Sequence, residues 1–353
     1  MRTITADSTP RQKKPVTTGD AEMDARIRQL VADYGGEKPH DIVAEMMMTA
    51  LKMARDQTTV ADLKMLNRAL KELRFASRVF APYRQCRKVA VFGSARTSPD
   101  AGEYKAAEEF SRQMHEHGYM TITGGGDGIM GAAQKGAGRE NSFGLNIRLP
   151  FEQGANQTIR DDAKLMNFNY FFTRKLNFVK ESHAIALFPG GFGTMDEGFE
   201  ALTLMQTGKA RIFPVVLVDK EGGQYWKTWL DFLHNHLLRL GLISPDDFNL
   251  IHSCETVECA VEHITHFYSN FHSYRWFGAS LIVRLQRPLS EDKIARMHAE
   301  FGDMLTSGTF VQSGALSSEI NEPEIAHLPR LVFQPRKRNF GRLRLILNAV
   351  NEP

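Results

Sequence analysis

Apolar positions along this chain fall into three successive textures. From Ala21 to about Tyr83 they recur at three- and four-residue steps. Ile27, Leu30 and Val31 share one helical face, and Ile42, Met46, Ala50 and Met53 form another stripe. Gly35-Gly36 and Pro39 break the first helix from the second, and a third is expected to start near Thr58-Thr59, with Asp62 in its first turn. Met46-Met47-Met48 reads as helix core rather than an adaptable binding surface. Ahead of this region, Met1 to Gly19 is polar, with basic residues, Pro10 and Pro15, and is read as a disordered arm.

At Lys88 the texture changes. Short β-branched or aromatic runs (Val89–Phe92, Tyr119–Thr123, Phe143–Leu149, Leu165–Asn169, Ala184–Phe188 and Ile212–Val218) alternate with amphipathic segments such as Glu103–His117 and Thr194–Gln206. This alternation predicts right-handed βαβ units: an α/β, Rossmann-like parallel sheet with helices on both faces. Ligands of such sheets bind outside the carboxyl ends of the strands. After about Phe277, Leu281–Leu285 reads as a strand and Glu291–Leu305 as a helix begun by Ser290. A Gly/Ser/Pro-rich loop is expected from Thr306 to Pro329, then a strand at Leu331–Phe333 and a basic closing helix. The expected organisation is therefore an arm (1–19), a helical N-terminal extension (20–87), a Rossmann-like catalytic core (88–277) and a small α+β C-terminal extension (278–353).

Composition narrows the function classes. A formal net charge of +3 over 353 residues is too small to imply a nucleic-acid or membrane-surface partner. Cys86, Cys254 and Cys259 form an odd set without CxxC spacing, so neither a disulfide framework nor a zinc site is indicated. There is no apolar h-region at the start and no stretch long enough to span a bilayer, which predicts a soluble cytoplasmic protein.

The candidate chemistry lies in three strand-end segments. They are Phe92-Gly93-Ser94-Ala95-Arg96, Thr123-Gly124-Gly125-Gly126-Asp127-Gly128-Ile129-Met130-Gly131, and Pro189-Gly190-Gly191-Phe192-Gly193-Thr194-Met195-Asp196-Glu197. Glycines between a strand and a helix expose backbone N–H groups at the positive end of the helix dipole, an arrangement suited to phosphate. One such loop could be a tight turn alone; three converging at one sheet edge suggest a phosphorylated ligand that needs close backbone approach. Gly126-x-Gly128-x-x-Gly131 matches the dinucleotide fingerprint formally. It follows the second strand rather than the first, however, and the next strand ends in Arg148-Leu149-Pro150 without an acid, which disfavours a nicotinamide cofactor. No GxxxxGK[ST] occurs, so a P-loop triphosphatase is not expected.

Pro189 to Glu197, the glycines at 124–131 and the pair Arg174-Lys175 closely resemble the LONELY GUY family of cytokinin-activating or general nucleoside 5′-monophosphate phosphoribohydrolases, many of which carry the older label "lysine decarboxylase-like". The likeness spans roughly Lys88 to Asn270. It is closest to long bacterial members, which share Phe-Gly-Ser-Ala-Arg and Asn169-Tyr170-Phe171-Phe172 before the Arg-Lys pair. The signature PGGxGTxxE is met by Pro189, Gly190, Gly191, Gly193, Thr194 and Glu197. The resemblance implies that Gly191, Gly193 and Thr194 hold the phosphate, that Glu197 faces the ribose, and that Arg174 is the family's arginine. It also extends the binding set to Gly93, Ser94, Gly124, Gly125, Gly126, Gly128, Met130, Lys175, Pro189 and Gly190. It implies a homodimer or larger homo-oligomer with the site close to the subunit interface, and no metal or organic cofactor. Short plant-type members lack the flanking extensions, so cytokinin as the physiological substrate does not follow.

N-glycosidic hydrolysis passes through an oxocarbenium-like ribosyl. It therefore needs a carboxylate near the anomeric carbon and a fixed cation for the monophosphate or the departing base. Thr194-Met195-Asp196-Glu197 also matches a capping box, in which Glu197 would merely tie back to a helix start. Both readings remain open from that motif, and the neighbouring glycines and Arg174 favour chemistry. Arg174 could itself be a plain surface helix residue. The rival from another class is a nucleotide or molybdopterin-type carrier or sensor without turnover, which would not need the Arg174–Glu197 pair. His234 with His236, and His263 with His266, lack acidic or Cys partners at ligand spacing and read as solvated or capping histidines. The run Arg336-Lys337-Arg338 with Arg342 and Arg344 reads as a solvated helix face or interface ion pairs rather than a grip on RNA or a regulatory phosphate. Nothing marks a Schiff-base lysine for a pyridoxal cofactor.

Overall fold

The computed structural model describes residues 16–34, 40–150 and 154–353. The chain divides between Arg74 and Phe75 into two units. The first holds α1 (Ala21–Tyr34), α2 (His40–Arg55) and most of α3 (Val60–Phe80). The hydroxyl of Thr59 accepts from the backbone N–H of Asp62 at 3.2 Å and donates to its carboxylate at 2.7 Å, so α3 starts where its turn residues place it. At the start of α1, Thr18 donates its backbone N–H to Asp24 at 2.8 Å. Hydrogen bonds from Thr17 and Thr18 hold that carboxyl down to about 2. The break at Gly35-Gly36 and Pro39, and the arm as far as residue 15, lie outside the described residues. The buried face of α2 is Ala44 with Met48, packed on Ile27 and Val31 of α1. The expected stripe of Ile42 and Met46 is exposed instead, since the contact with α1 runs through Ala44 and Met48 on a neighbouring face of the helix.

In the second unit, strands and helices alternate. They run β1 (Lys88–Phe92), α4 (Gly102–Glu116), β2 (Met120–Thr123), α5 (Ile129–Ala137), β3 (Ser142–Ile147), β4 (Leu165–Phe168), α6 (Phe171–Glu181), β5 (Ala184–Leu187), α7 (Phe192–Gln206), β6 (Val215–Val218), α8 (Tyr225–Phe232), β7 (His252–Cys254) and α9 (Val257–Phe267). The strands form one parallel sheet in the order β4-β3-β2-β1-β5-β6-β7. Helices cover both faces, as the expected α/β class requires. Val89, Val91 and Ala186 pack with Phe110 of α4 and Val261 of α9, while Ala90, Phe92 and Leu187 pack with Phe178 of α6 and Ala201 of α7. The chain runs outward from β1 to β4, then returns to lay β5 on the other side of β1. The β1–β5 boundary is thus the topological switch point where a crevice opens. Phe92 lies opposite Leu187, so the two strands end level with each other.

The remaining elements are β8 (Phe271–Phe277), β9 (Ser280–Leu285), α10 (Glu291–Phe301), β10 (Leu305–Ser313), β11 (Arg330–Pro335) and α11 (Phe340–Ala349). They build an antiparallel sheet, β10-β11-β9-β8, that already begins at Phe271. Ser290 caps α10 as expected, accepting from Lys293 N–H at 3.2 Å. Two expectations are corrected here. The helix stops at Phe301, and Leu305–Ser313, read as the helix end and the first part of a loop from Thr306, is a strand paired with β11. Its polar stretch is tolerated because β10 is an edge strand with only Leu305 and Phe310 buried. The basic closing segment is also not uniformly solvated. Arg344 is fully buried, with its guanidinium over the Phe267 ring at 4.2 Å. Leu281, Val283, Phe333 and Leu347 belong to the same apolar core as Val89 and Val91, so this extension completes the α/β body.

Candidate active site

The glycine-rich segments leave β1, β2 and β5 at one sheet edge and are tied to each other. Ser94 N–H donates to the carbonyl of Pro189 at 3.1 Å, and Ile129 N–H to the carbonyl of Ser94 at 3.0 Å. These contacts need glycine. A Cβ on Gly128, where φ is +63°, would stand 2.3 Å from the Ser94 carbonyl oxygen, and one on Gly190 would stand 2.1 Å from the Thr194 hydroxyl. By contrast, a Cβ on Gly191 or Gly193 would meet nothing within 4 Å. The two glycines that open α7 therefore face free space, with the positive end of the helix dipole beside them. The result is a cleft of about 760 Å³ at the switch point.

Glu197 lies on the second turn of α7 and is buried. This settles the capping-box alternative: the helix begins at Phe192 with Gly191 as its cap, and Thr194 is already inside it. The Glu197 side chain turns instead toward α6. One carboxylate oxygen stands 3.5 Å from Arg174 Nη2 and the other 3.4 Å from Lys175 Nζ. Arg174 is no surface residue. Its guanidinium lies over the rings of Phe171 at 5.1 Å and Phe178 at 5.7 Å. Its Nε has no hydrogen-bond partner among the described residues, which leaves a donor at the cleft wall. Burial pushes the Glu197 carboxyl up, against the pull of Lys175 and Arg174. Burial likewise lowers Arg174 against the pull of Glu197.

Of the residues expected at the site, Gly93, Ser94, Gly124, Met130, Arg174, Gly190, Gly191, Gly193, Thr194 and Glu197 line the cleft together. Pro189, Gly125, Gly126 and Gly128 stand behind its wall. The carbonyls of Gly125 and Gly126 accept from the Asn156 side chain at 3.0 and 2.9 Å. Lys175 is also outside the lining, its ammonium taken up by Asp196 at 2.9 Å and Glu200 at 2.8 Å as well as by Glu197. Sequence reasoning missed Asn156, which clamps the second glycine loop, and Tyr225, whose hydroxyl donates to the Gly190 carbonyl. Neither carries a local signal, since each reaches the loops from more than 25 residues away. It also missed that His252, Cys254 and Cys259 bring their ligand atoms within 4.8 Å of one another. A strand end and the first turn of α9 supply them at a spacing outside the usual motifs, and this N/S donor set suits a soft divalent metal. His263, expected to be solvated, stacks on His252 at 3.9 Å.

Residues 130–264 match the family model described as "possible lysine decarboxylase". The chain is 29% identical to a probable cytokinin riboside 5′-monophosphate phosphoribohydrolase of Oryza sativa subsp. japonica, over 48% of this chain and 68% of that protein. It is 25% identical to a cytokinin riboside 5′-monophosphate phosphoribohydrolase of Arabidopsis thaliana, over 49% of this chain and 79% of that protein. Among solved structures, the molybdenum cofactor carrier protein of Chlamydomonas reinhardtii aligns at 22% identity with a TM-score of 0.36 or below, namely 0.35, over 51% of this chain and 96% of that one. The family likeness read from the motifs is thus borne out, at low identity and over about half the chain.

Proposed function

We propose, from this kinship with the LONELY GUY family, that the chain hydrolyses the N-glycosidic bond of nucleoside 5′-monophosphates to free base and ribose 5-phosphate. The observation that carries the reading is the Arg174–Glu197 pair at the wall of a cleft whose floor is the start of α7. The 5′-phosphate would sit on the N–H groups beside Gly191 and Gly193, where no side chain intrudes. That placement sets the ribose against Glu197. As the bond to the base breaks, its electron pair leaves with the base nitrogen, and the carboxylate opposes the charge developing on the ribosyl. Water then adds to the anomeric carbon and gives a proton to Glu197, which passes it to the departing base nitrogen, so that water supplies hydroxyl to the ribose and hydrogen to the base and the carboxylate is regenerated. Arg174 supplies the fixed positive charge for the phosphate or the leaving base. Phe92, Phe178, Met130 and Met195 wall the cleft with apolar surface, which strengthens each of these interactions.

The exposed Phe171, Phe172 and Leu176 flank Arg174 on α6 and support a homodimer, or larger assembly, that covers the site's rim. Incubation with a panel of monophosphates, followed by detection of free base and ribose 5-phosphate, tests the reaction. Each charge-assisted hydrogen bond to phosphate contributes roughly 1.5–3 kcal/mol, so with two of them adenosine should fall below AMP in kcat/KM by about 10²–10⁴. Comparable values would remove the phosphate from the argument. Tight AMP binding without release of adenine would favour a carrier instead.

A further inference from the structure

We propose that a second cavity, at the N-terminal ends of β1, β2 and β5, binds a small phosphate-bearing anion. This cavity of about 610 Å³ is lined by Arg84, Arg87, Arg211, His117, His183 and His272, and no carboxylate occurs among its described lining residues. Its size suits a nucleotide-sized molecule. The inference does not depend on turnover at the cleft.

Two of the arginines, Arg211 and Arg87, are held in place by groups that do not neutralise them. Arg211 Nη2 donates to the carbonyls of Lys180 at 3.2 Å and Ser182 at 2.9 Å, which orient the guanidinium but leave its charge intact. Arg87 packs over the Tyr268 ring at 4.2 Å. Behind the wall, Lys88 is buried and donates to the carbonyls of Tyr83 at 2.7 Å and Cys86 at 3.0 Å. Glu181, whose charge reaches Lys88, is itself paired with Lys180 at 2.7 Å. Burial, followed by the charges of Arg211, Lys88 and Arg87, holds the His183 imidazole down to about 2, so this ring stays neutral and the positive charge of the cavity is that of its arginines. Like charges gathered in a partly buried cavity repel one another, and a multiply charged anion relieves that cost. Phosphate matches the planar donors of arginine better than a point anion does. The strands that end here in Arg87, Tyr119 and His183 carry Gly93, Gly124 and Pro189 at their other ends, roughly 15 Å away along β1. A ligand here therefore bears on the same strands as the catalytic loops.

Cys86 lines the cavity and is partly exposed, so its thiol reports occupancy in the unmutated chain. Iodoacetamide labelling of the full chain, resolved by mass spectrometry, should slow at Cys86 in the presence of pyrophosphate or ATP while Cys259 is unaffected. Protection by ATP but not pyrophosphate would identify a nucleotide, and protection by both would identify the phosphoryl group alone. An unchanged Cys86 rate with either, or protection only by an RNA oligonucleotide, overturns the proposal. Protection should persist in Arg174→Gln, and its loss there would place the anion in the cleft instead. In a folded Arg84→Gln/Arg87→Gln variant, the pyrophosphate concentration needed for protection should rise at least about tenfold. An unshifted concentration would equally overturn the assignment.

Discussion

The carboxylate of Glu197 stands 3.5 Å from the guanidinium of Arg174, although β5 and a glycine loop separate the two in the chain. The contact is long, and so is that to Lys175 at 3.4 Å, so the carboxylate is held without being saturated. Glu197→Gln keeps the shape and leaves Gly191, Gly193 and Thr194 untouched. Base release from AMP should fall by about 10²–10⁴, the usual loss of a positioned acid–base group. AMP binding by calorimetry should stay near wild type. Full turnover in this variant would make Glu197 a structural residue only.

The same variant carries a pH signature. Burial raises the folded-state value of the Glu197 carboxyl above the ordinary 4.5. A carboxyl raised in this way contributes stability that is complete below its unfolded value and lost as pH rises through its folded one. Wild type should therefore lose melting temperature relative to Glu197→Gln as pH climbs from the ordinary 4.5 through the raised folded-state value. A difference moving the other way would mean that Arg174 and Lys175 outweigh the cost of burial.

Adjacent glycines should behave oppositely. Gly190→Ala places a methyl 2.1 Å from the Thr194 hydroxyl and 3.0 Å from Ser94 N, so stability should drop by about 1–3 kcal/mol in urea unfolding. Gly191→Ala has open space and a φ of −88° that alanine adopts freely, so stability should hold. Its methyl enters the proposed phosphate position, and AMP affinity should weaken about tenfold for one lost charge-assisted bond. Unaltered AMP affinity would place the phosphate elsewhere.

In the C-terminal sheet, Glu319 is wholly buried between Arg284 at 2.7 Å and Arg330 at 2.9 Å. Burial alone would raise its carboxyl, but Arg330 and Arg284 hold it below the ordinary value. Glu319→Ala leaves the buried Arg330 guanidinium without its acid and Arg284 with Glu322 alone, and should cost about 3–5 kcal/mol. Because this body shares one core with the Rossmann-like sheet, a single unfolding transition should shift. An early separate transition would show that the extension folds independently.

The local alphabet of this protein was legible from its sequence. Apolar runs such as Val89–Phe92 and Ala184–Phe188 cover both faces of a sheet, and their alternation with amphipathic segments is what marked them as parallel strands. The glycines that follow them marked the strand ends, because a tight strand-to-helix turn, as at Gly125 and Gly128 with positive φ, favours a residue without a Cβ. Tertiary structure decided the rest. Thr194 and Glu197 satisfy a capping motif by spacing, yet the packing of Gly190 against Thr194 accompanies an earlier helix start and Glu197 finds its partners on α6. Leu305–Ser313 lacks a strand's apolar alternation and is ordered by pairing with β11. The approach of His252 to Cys254 and Cys259, and the gathering of Arg84, Arg87 and Arg211 in one cavity, likewise join residues from different elements. Periodicity and turn chemistry act within a few residues. Ion pairs, buried charges and cavities depend on which elements the sheet order brings side by side, and no local window contains that information.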